Sequence, residues 1–113
     1  MAFKGDLETL VLGVLQGGSL HGYEIAKRIR QSSESALSVG EGQLYPALHR
    51  LEREGLVAAT WQPQEGKPAR KVYFLTPGGL DELDRRRTLW ERFAQSVSVI
   101  LSPTRAGEEG NRG

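Results

Sequence analysis

The stretch from Gly40 to Thr76, GEGQLYPALHRLEREGLVAATWQPQEGKPARKVYFLT, constrains the fold more than any other part of the chain. Leu44, Ala47, Leu48 and Leu51 recur at three- and four-residue spacing and form the buried stripe of a short helix. Gly55 suits the left-handed residue that closes such a helix. Pro46 fits in the first turn, where its missing N–H is no loss, so the helix is expected to start near Gly42. Projected down its axis, the line opposite the apolar stripe runs through Gly42, Pro46, His49 and Arg53. Tyr45 and Arg50 flank it. Leu56 to Gln62 and Arg70 to Leu75 then read as two strands of small, β-branched and aromatic residues. Pro63 to Pro68, with Gly66 and two prolines, reads as the turn between them. Lys67, Arg70 and Lys71 sit at or beside its tip. A short helix with a basic outer face, followed at once by a hairpin with a basic tip, is the order of a winged helix-turn-helix.

That order points to double-stranded DNA as the first partner to consider. A helix of this size fits a major groove, where arginine pairs with guanine and histidine donates or accepts. Cations on the wing reach phosphates beside the groove and position the protein without reading bases. Taken alone, the polar face of the helix reads as a solvated surface. The hairpin weighs against that, because Glu65 is the only acid between Pro63 and Lys71.

The remaining segments complete the architecture. Leu7, Leu10, Val11, Val14 and Leu15 make the apolar face of a helix from Asp6 to Gln16, which Gly17 and Gly18 stop. His21 to Ser33 is a second helix, with Ile25, Ala26 and Ile29 inward. Ser32 to Gly40 is a polar connection. Thr76-Pro77 pairs a capping residue with a first-turn proline and opens a long final helix. In that helix Leu80, Leu83, Arg87, Trp90, Ala94, Val97 and Leu101 follow alternating three- and four-residue steps, with Leu89, Phe93 and Ile100 beside them. About 24 residues of helix span roughly 36 Å, longer than a small domain requires. Two apolar stripes on one helix need two surfaces, so one is expected to pack on the first helix and the other on a second subunit.

The expected fold class is therefore mainly α with a small β-hairpin. Residues 1–76 form the winged helix-turn-helix, residues 77–101 a dimerisation helix, and the Gly- and charge-rich residues 102–113 a disordered tail. A length of 113 residues suits one small domain whose stability draws on a partner subunit. The net charge is only +1, so a nucleic-acid surface must be a local patch. The chain has no cysteine, hence no disulfide, thiolate metal site or thiol nucleophile. No apolar run approaches membrane-spanning length and no signal-peptide pattern opens the chain, so no membrane association and a cytoplasmic location are expected. His21 and His49 are the only histidines, and no third ligand stands at metal-binding spacing. No phosphate-cradling glycine motif follows a strand. An enzyme, a metal and a cofactor are not expected. The competing class is a winged-helix protein-interaction module without specific DNA binding, against which the basic helix line and wing argue.

GDLETLVLGVL, LHGYEIAKRI, GQLYPALHRLEREGLV and ARKVYFLTPGG together resemble the PadR family of bacterial transcriptional regulators, from Phe3 to Leu101. The single final helix is similar to the short subtype. The resemblance implies a homodimeric winged-helix repressor on a pseudo-palindromic operator. It also implies release, in some members, by phenolic acids or planar drug-like molecules. Tyr45 resembles a tyrosine that touches the DNA backbone. Gln43, His49, Arg50 and Arg53 become base or phosphate contacts, and Lys67, Arg70 and Lys71 wing contacts. Gly22 and Tyr23 resemble a backbone-contacting turn at a helix N-terminus, with half-buried core as the alternative for Tyr23. Trp90 resembles a tryptophan that lines a cavity for a small aromatic effector at the dimer centre. Packing of the dimer seam, with Phe93, Ala94 and Val97, is its alternative. Arg87 either snorkels to solvent, pairs with a partner's Glu91, or meets an anionic ligand. Two residues depart from the pattern: Val72 stands where an aromatic is common, and the acidic Glu41 opens the recognition helix.

Overall fold

A computed structural model describes residues 6–104. The elements run α1 (Asp6–Leu15), β1 (Leu20–His21), α2 (Gly22–Ser32), α3 (Glu41–Arg53), β2 (Val57–Gln64), β3 (Lys67–Leu75) and α4 (Pro77–Leu101). Residues Phe3 to Gly5 of the resemblance, and most of the expected tail, lie outside the described residues.

The core is built from the apolar stripes. Val11, Leu12 and Leu15 of α1, Ile25 and Ile29 of α2, and Leu44, Leu48 and Leu51 of α3 close on Leu20, Val57, Tyr73 and Leu83. Ala47 completes the buried face of α3, so all four residues of its expected stripe are inside. Each fully buried leucine or isoleucine contributes about 1.5–3 kcal/mol of transfer free energy. Leu37 and Val39, in the connection between α2 and α3, pack partly against the same cluster. Ser33 shapes that connection. Its hydroxyl donates to the Ile29 carbonyl at 2.8 Å and accepts from the Leu37 N–H at 3.0 Å.

Three details differ from the sequence expectation. First, the sheet has three strands in the order β1-β3-β2. β1 pairs through Leu20 with Tyr73 and His21 with Val72; two residues are too few to display a strand period. Second, the hairpin is longer than expected, and its turn is reduced to Glu65 and Gly66, with Gly66 at φ +71°. Both prolines lie in strands. Pro63 stands where the register shifts between Gln62 and Gln64, on the edge strand, so its missing N–H interrupts no continuous ladder. Pro68 is beyond the reach of β1, which touches only Val72 and Tyr73. Third, α3 begins at Glu41, so Pro46 is its sixth residue and not part of the first turn. The carbonyl of Gly40 already accepts from the N–H groups of Gln43 and Leu44. The cost of a later proline is one helical bond, to the Gly42 carbonyl.

α4 leaves the core after its first turns. The radius of gyration is 18.7 Å, where a compact domain of this length would have about 13 Å. Thr76 fastens its start: its hydroxyl donates to the Gly55 carbonyl at 2.6 Å and accepts from the Gly79 N–H at 2.9 Å. The start of the long helix is thus tied to the end of α3.

Candidate nucleic-acid interface

The outer face of α3 is open along its length. Gln43, Pro46, His49, Arg50 and Arg53 are exposed, and Tyr45 is half-buried. Neither His49 nor Arg53 forms a hydrogen bond or ion pair with a described residue, so both are available to a ligand. Arg50 is held: its Nε donates to the Glu8 carboxylate of α1 at 2.6 Å. Tyr45 lies across Gly22, and a side-chain carbon at position 22 would collide with the tyrosine ring and hydroxyl. Gly22 is therefore buried and serves packing of α2 against α3. The neighbouring Tyr23 is exposed beside His21, with ring centroids 6.3 Å apart, so it is not half-buried core.

The wing brings its cations to two different places. Lys67 opens β3 next to the turn and is exposed, and the exposed Arg70 donates through Nε to Gln62 at 3.1 Å. Lys71 is not at the tip. Its Nζ lies 3.3 Å from Glu52 of α3 and 5.3 Å from the centre of the Tyr73 ring. The reason is strand alternation: Lys71 shares the core-side face with Tyr73 and is drawn to the last turns of α3. Burial pushes the Tyr73 hydroxyl above its ordinary range, and the nearby lysine only partly offsets this. Trp61 pairs with Lys71 across the hairpin and is 67% exposed. Sequence reasoning placed this tryptophan in the wing but gave it no role; its exposure is the signal that only the fold supplies.

The first half of α4 packs on α1. Leu83 is buried between them. Arg86 donates to Thr9 at 3.3 Å and Arg87 to Gln16 at 3.2 Å. Arg87 also pairs with Asp84 at 2.6 Å. These two partners lie one turn back on α4 and just past the end of α1. Beyond Arg87 much of the apolar surface is open among the described residues: Leu89, Val99, Ile100 and Leu101 are exposed, and Ala94 and Val97 are half-exposed. Trp90 and Phe93 form a tilted ring pair with centroids 5.9 Å apart. No helix among the described residues is long and apolar enough to cross a membrane.

Glu82 pairs with two arginines of its own helix, Arg85 and Arg86. Hydrogen bonds from Arg85 and then Arg86 hold its carboxyl well below the ordinary value of 4.5, at about 2. A depressed carboxyl contributes stability that is present above its unfolded pKa and is lost as pH falls through the folded one. The melting-temperature difference between the wild type and Glu82→Gln is therefore expected to be constant above about pH 4.5 and to close as the pH falls toward about 2. A difference that persists unchanged at the acid limit would show that these bonds do not carry the effect.

The arrangement has known counterparts. The family model of the PadR-like transcriptional regulators matches residues 11–85. The negative transcriptional regulator PadR of Bacillus subtilis is 34% identical over 77 residues, 68% of this chain and 42% of that protein. The structure of B. subtilis PadR in complex with operator DNA superposes with a TM-score of 0.65 at 33% identity, over 70% of this chain and 44% of that one. A PadR-like transcriptional regulator of Bacillus cereus superposes with a TM-score of 0.77 at 28% identity, over 90% of this chain and 97% of that one. The chain thus spans less than half of the B. subtilis relative and nearly the whole of the B. cereus structure. With the family model covering both α3 and the wing, this chain belongs to the PadR-like family of transcriptional regulators.

Proposed function

We propose that the protein is a homodimeric, sequence-specific DNA-binding repressor. α3 reads the major groove, the wing holds the flanking backbone, and α4 forms the dimer seam. The observation that carries this reading is the exposed line of His49 and Arg53 on α3, unpartnered among the described residues, together with the exposed Lys67 and Arg70 of the wing. A docking module for another protein would not need cations on both a groove-sized helix and its wing. The likeness to an operator-bound relative supports the same reading. The exposed apolar half of α4 supports a two-fold assembly in which the Trp90–Phe93 ring pair either packs the seam or lines a cavity for a planar aromatic effector.

Two half-sites about one helical turn apart, roughly 34 Å or a multiple, are expected under a dimer. Footprinting on the protein's own upstream region tests this; protection of one asymmetric half-site by a monomer would overturn it. Readout and positioning separate by mutation. Arg53→Ala should cost about 1–3 kcal/mol on the operator and relax preference at one base position. Lys67→Ala should weaken binding to every sequence alike and lower the salt slope by about one. Lys71, held by Glu52, should contribute less than Lys67. Base selection that changes with Lys67→Ala and not with Arg53→Ala would reverse the roles of wing and helix.

A further inference from the structure

Glu8 stands at the meeting point of three helices. It belongs to α1, and its side chain is only 14% exposed. One carboxylate oxygen accepts from Arg50 Nε of α3 at 2.6 Å. The other lies 3.8 Å from an Nη of Arg86 on α4. Arg86 is itself fixed, by Glu82 through Nε at 2.6 Å and by Thr9 through Nη at 3.3 Å. Resting on the reading of α3 as the DNA-facing helix, we infer that Glu8 is the positioning residue for Arg50. It clamps the Nε edge of the guanidinium so that the Nη edge is presented to DNA, and Arg86 fixes the clamp to α4.

The geometry favours this over an incidental ion pair. Arg50 makes its bond through Nε alone, and its Nη donors have no partner among the described residues. The guanidinium is a planar fork, so occupying one edge leaves a second edge free to donate. An unrestrained arginine on a helix surface loses rotamer freedom when it binds; one already held loses less. His49 and Arg53, on the same face, have no such support.

The sign of the effect separates the possibilities. By charge alone, removing an acid near phosphates should tighten DNA binding. If Glu8 instead sequesters Arg50, removing it should also tighten binding. Positioning predicts the reverse.

The test uses the full chain and a duplex recovered by selection from a randomised library with the wild type. Glu8→Gln keeps an acceptor for Arg50 Nε but removes the ion pair that holds the guanidinium, and is expected to weaken binding severalfold, up to about tenfold. In an Arg50→Ala background the same change is expected to have no further effect on affinity, whatever it does to the melting temperature. Arg50→Lys keeps the charge on an exposed face but has no second edge, and should also lose about tenfold. It provides the reading if Glu8→Gln proves too unstable to assay. Equal losses from Glu8→Gln in both backgrounds, tighter binding by Glu8→Gln, or full affinity of Arg50→Lys would overturn the positioning role and leave the DNA reading intact. Failure of the wild type to select any duplex would overturn both.

Discussion

Phe93→Glu is expected to leave a folded monomer that has lost most of its operator affinity. Phe93 is 41% exposed and Trp90 44% exposed in the protomer, and neither belongs to its buried core. Both lie in the part of α4 that extends beyond α1, where Ile100 is 79% exposed. An apolar run of this length is covered in a stable protein, and a second α4 is the surface of matching pattern. A carboxylate in the centre of such a seam is buried without a designed partner, which costs several kcal/mol per copy. The consequence for DNA is larger than for the fold. Two linked half-site contacts gain about 10²–10⁴ in affinity over one, and a monomer forfeits that gain. Sedimentation should show a monomer, circular dichroism an unchanged helix content, and gel shift the loss of the specific complex. A wild type that sediments as a monomer at micromolar concentration, or a variant that remains dimeric with full operator affinity, would sink the role assigned to α4.

Gly79→Ala is expected to be the most damaging conservative change in the joint between the two functional parts. A Cβ at position 79 would overlap the backbone carbonyl of Leu56, which cannot swing aside as a side chain does. Leu56 is held in turn: its carbonyl accepts from the Thr76 N–H at 3.2 Å, and its N–H donates to the Leu51 carbonyl at 2.9 Å. Relief requires moving α4 away from the end of α3. The cost should reach about 3 kcal/mol, the upper end for overpacking, and lower Tm by more than about 10 °C. Gly78→Ala is the internal control, because its nearest neighbours would be the Thr76 hydroxyl at 3.7 Å and the Gly55 carbonyl at 3.8 Å. That change should be neutral or mildly stabilising, by up to about 1 kcal/mol. Equal melting temperatures for the two variants would show that α4 is not seated as closely as the contact requires. Operator affinity of any surviving Gly79→Ala protein should fall as well, since the same joint sets the angle between α3 and α4.

Hydrophobic spacing and turn chemistry determined the element order, the buried stripe of α3 and the start of α4. These are local properties. Leu44, Ala47, Leu48 and Leu51 have one periodicity whatever lies against them, and Thr76-Pro77 caps a helix from its own atoms. The outward line through His49 and Arg53 was legible for the same reason. Two features of the sheet were not. β1 has no period of its own and exists only because β3 offers it a partner. Pro63 and Pro68 read as turn residues, yet they are tolerated in strands because one stands at a register shift and the other beyond the third strand. The cations divide in the same way. Sequence names Arg50, Lys71 and Arg87 as basic residues on useful faces. Asp84 meets Arg87 at a local i,i+3 spacing, but only the tertiary structure places Glu8 and Glu52 against Arg50 and Lys71, because an ion pair across 42 residues of chain depends on how helices cross and not on what either helix spells.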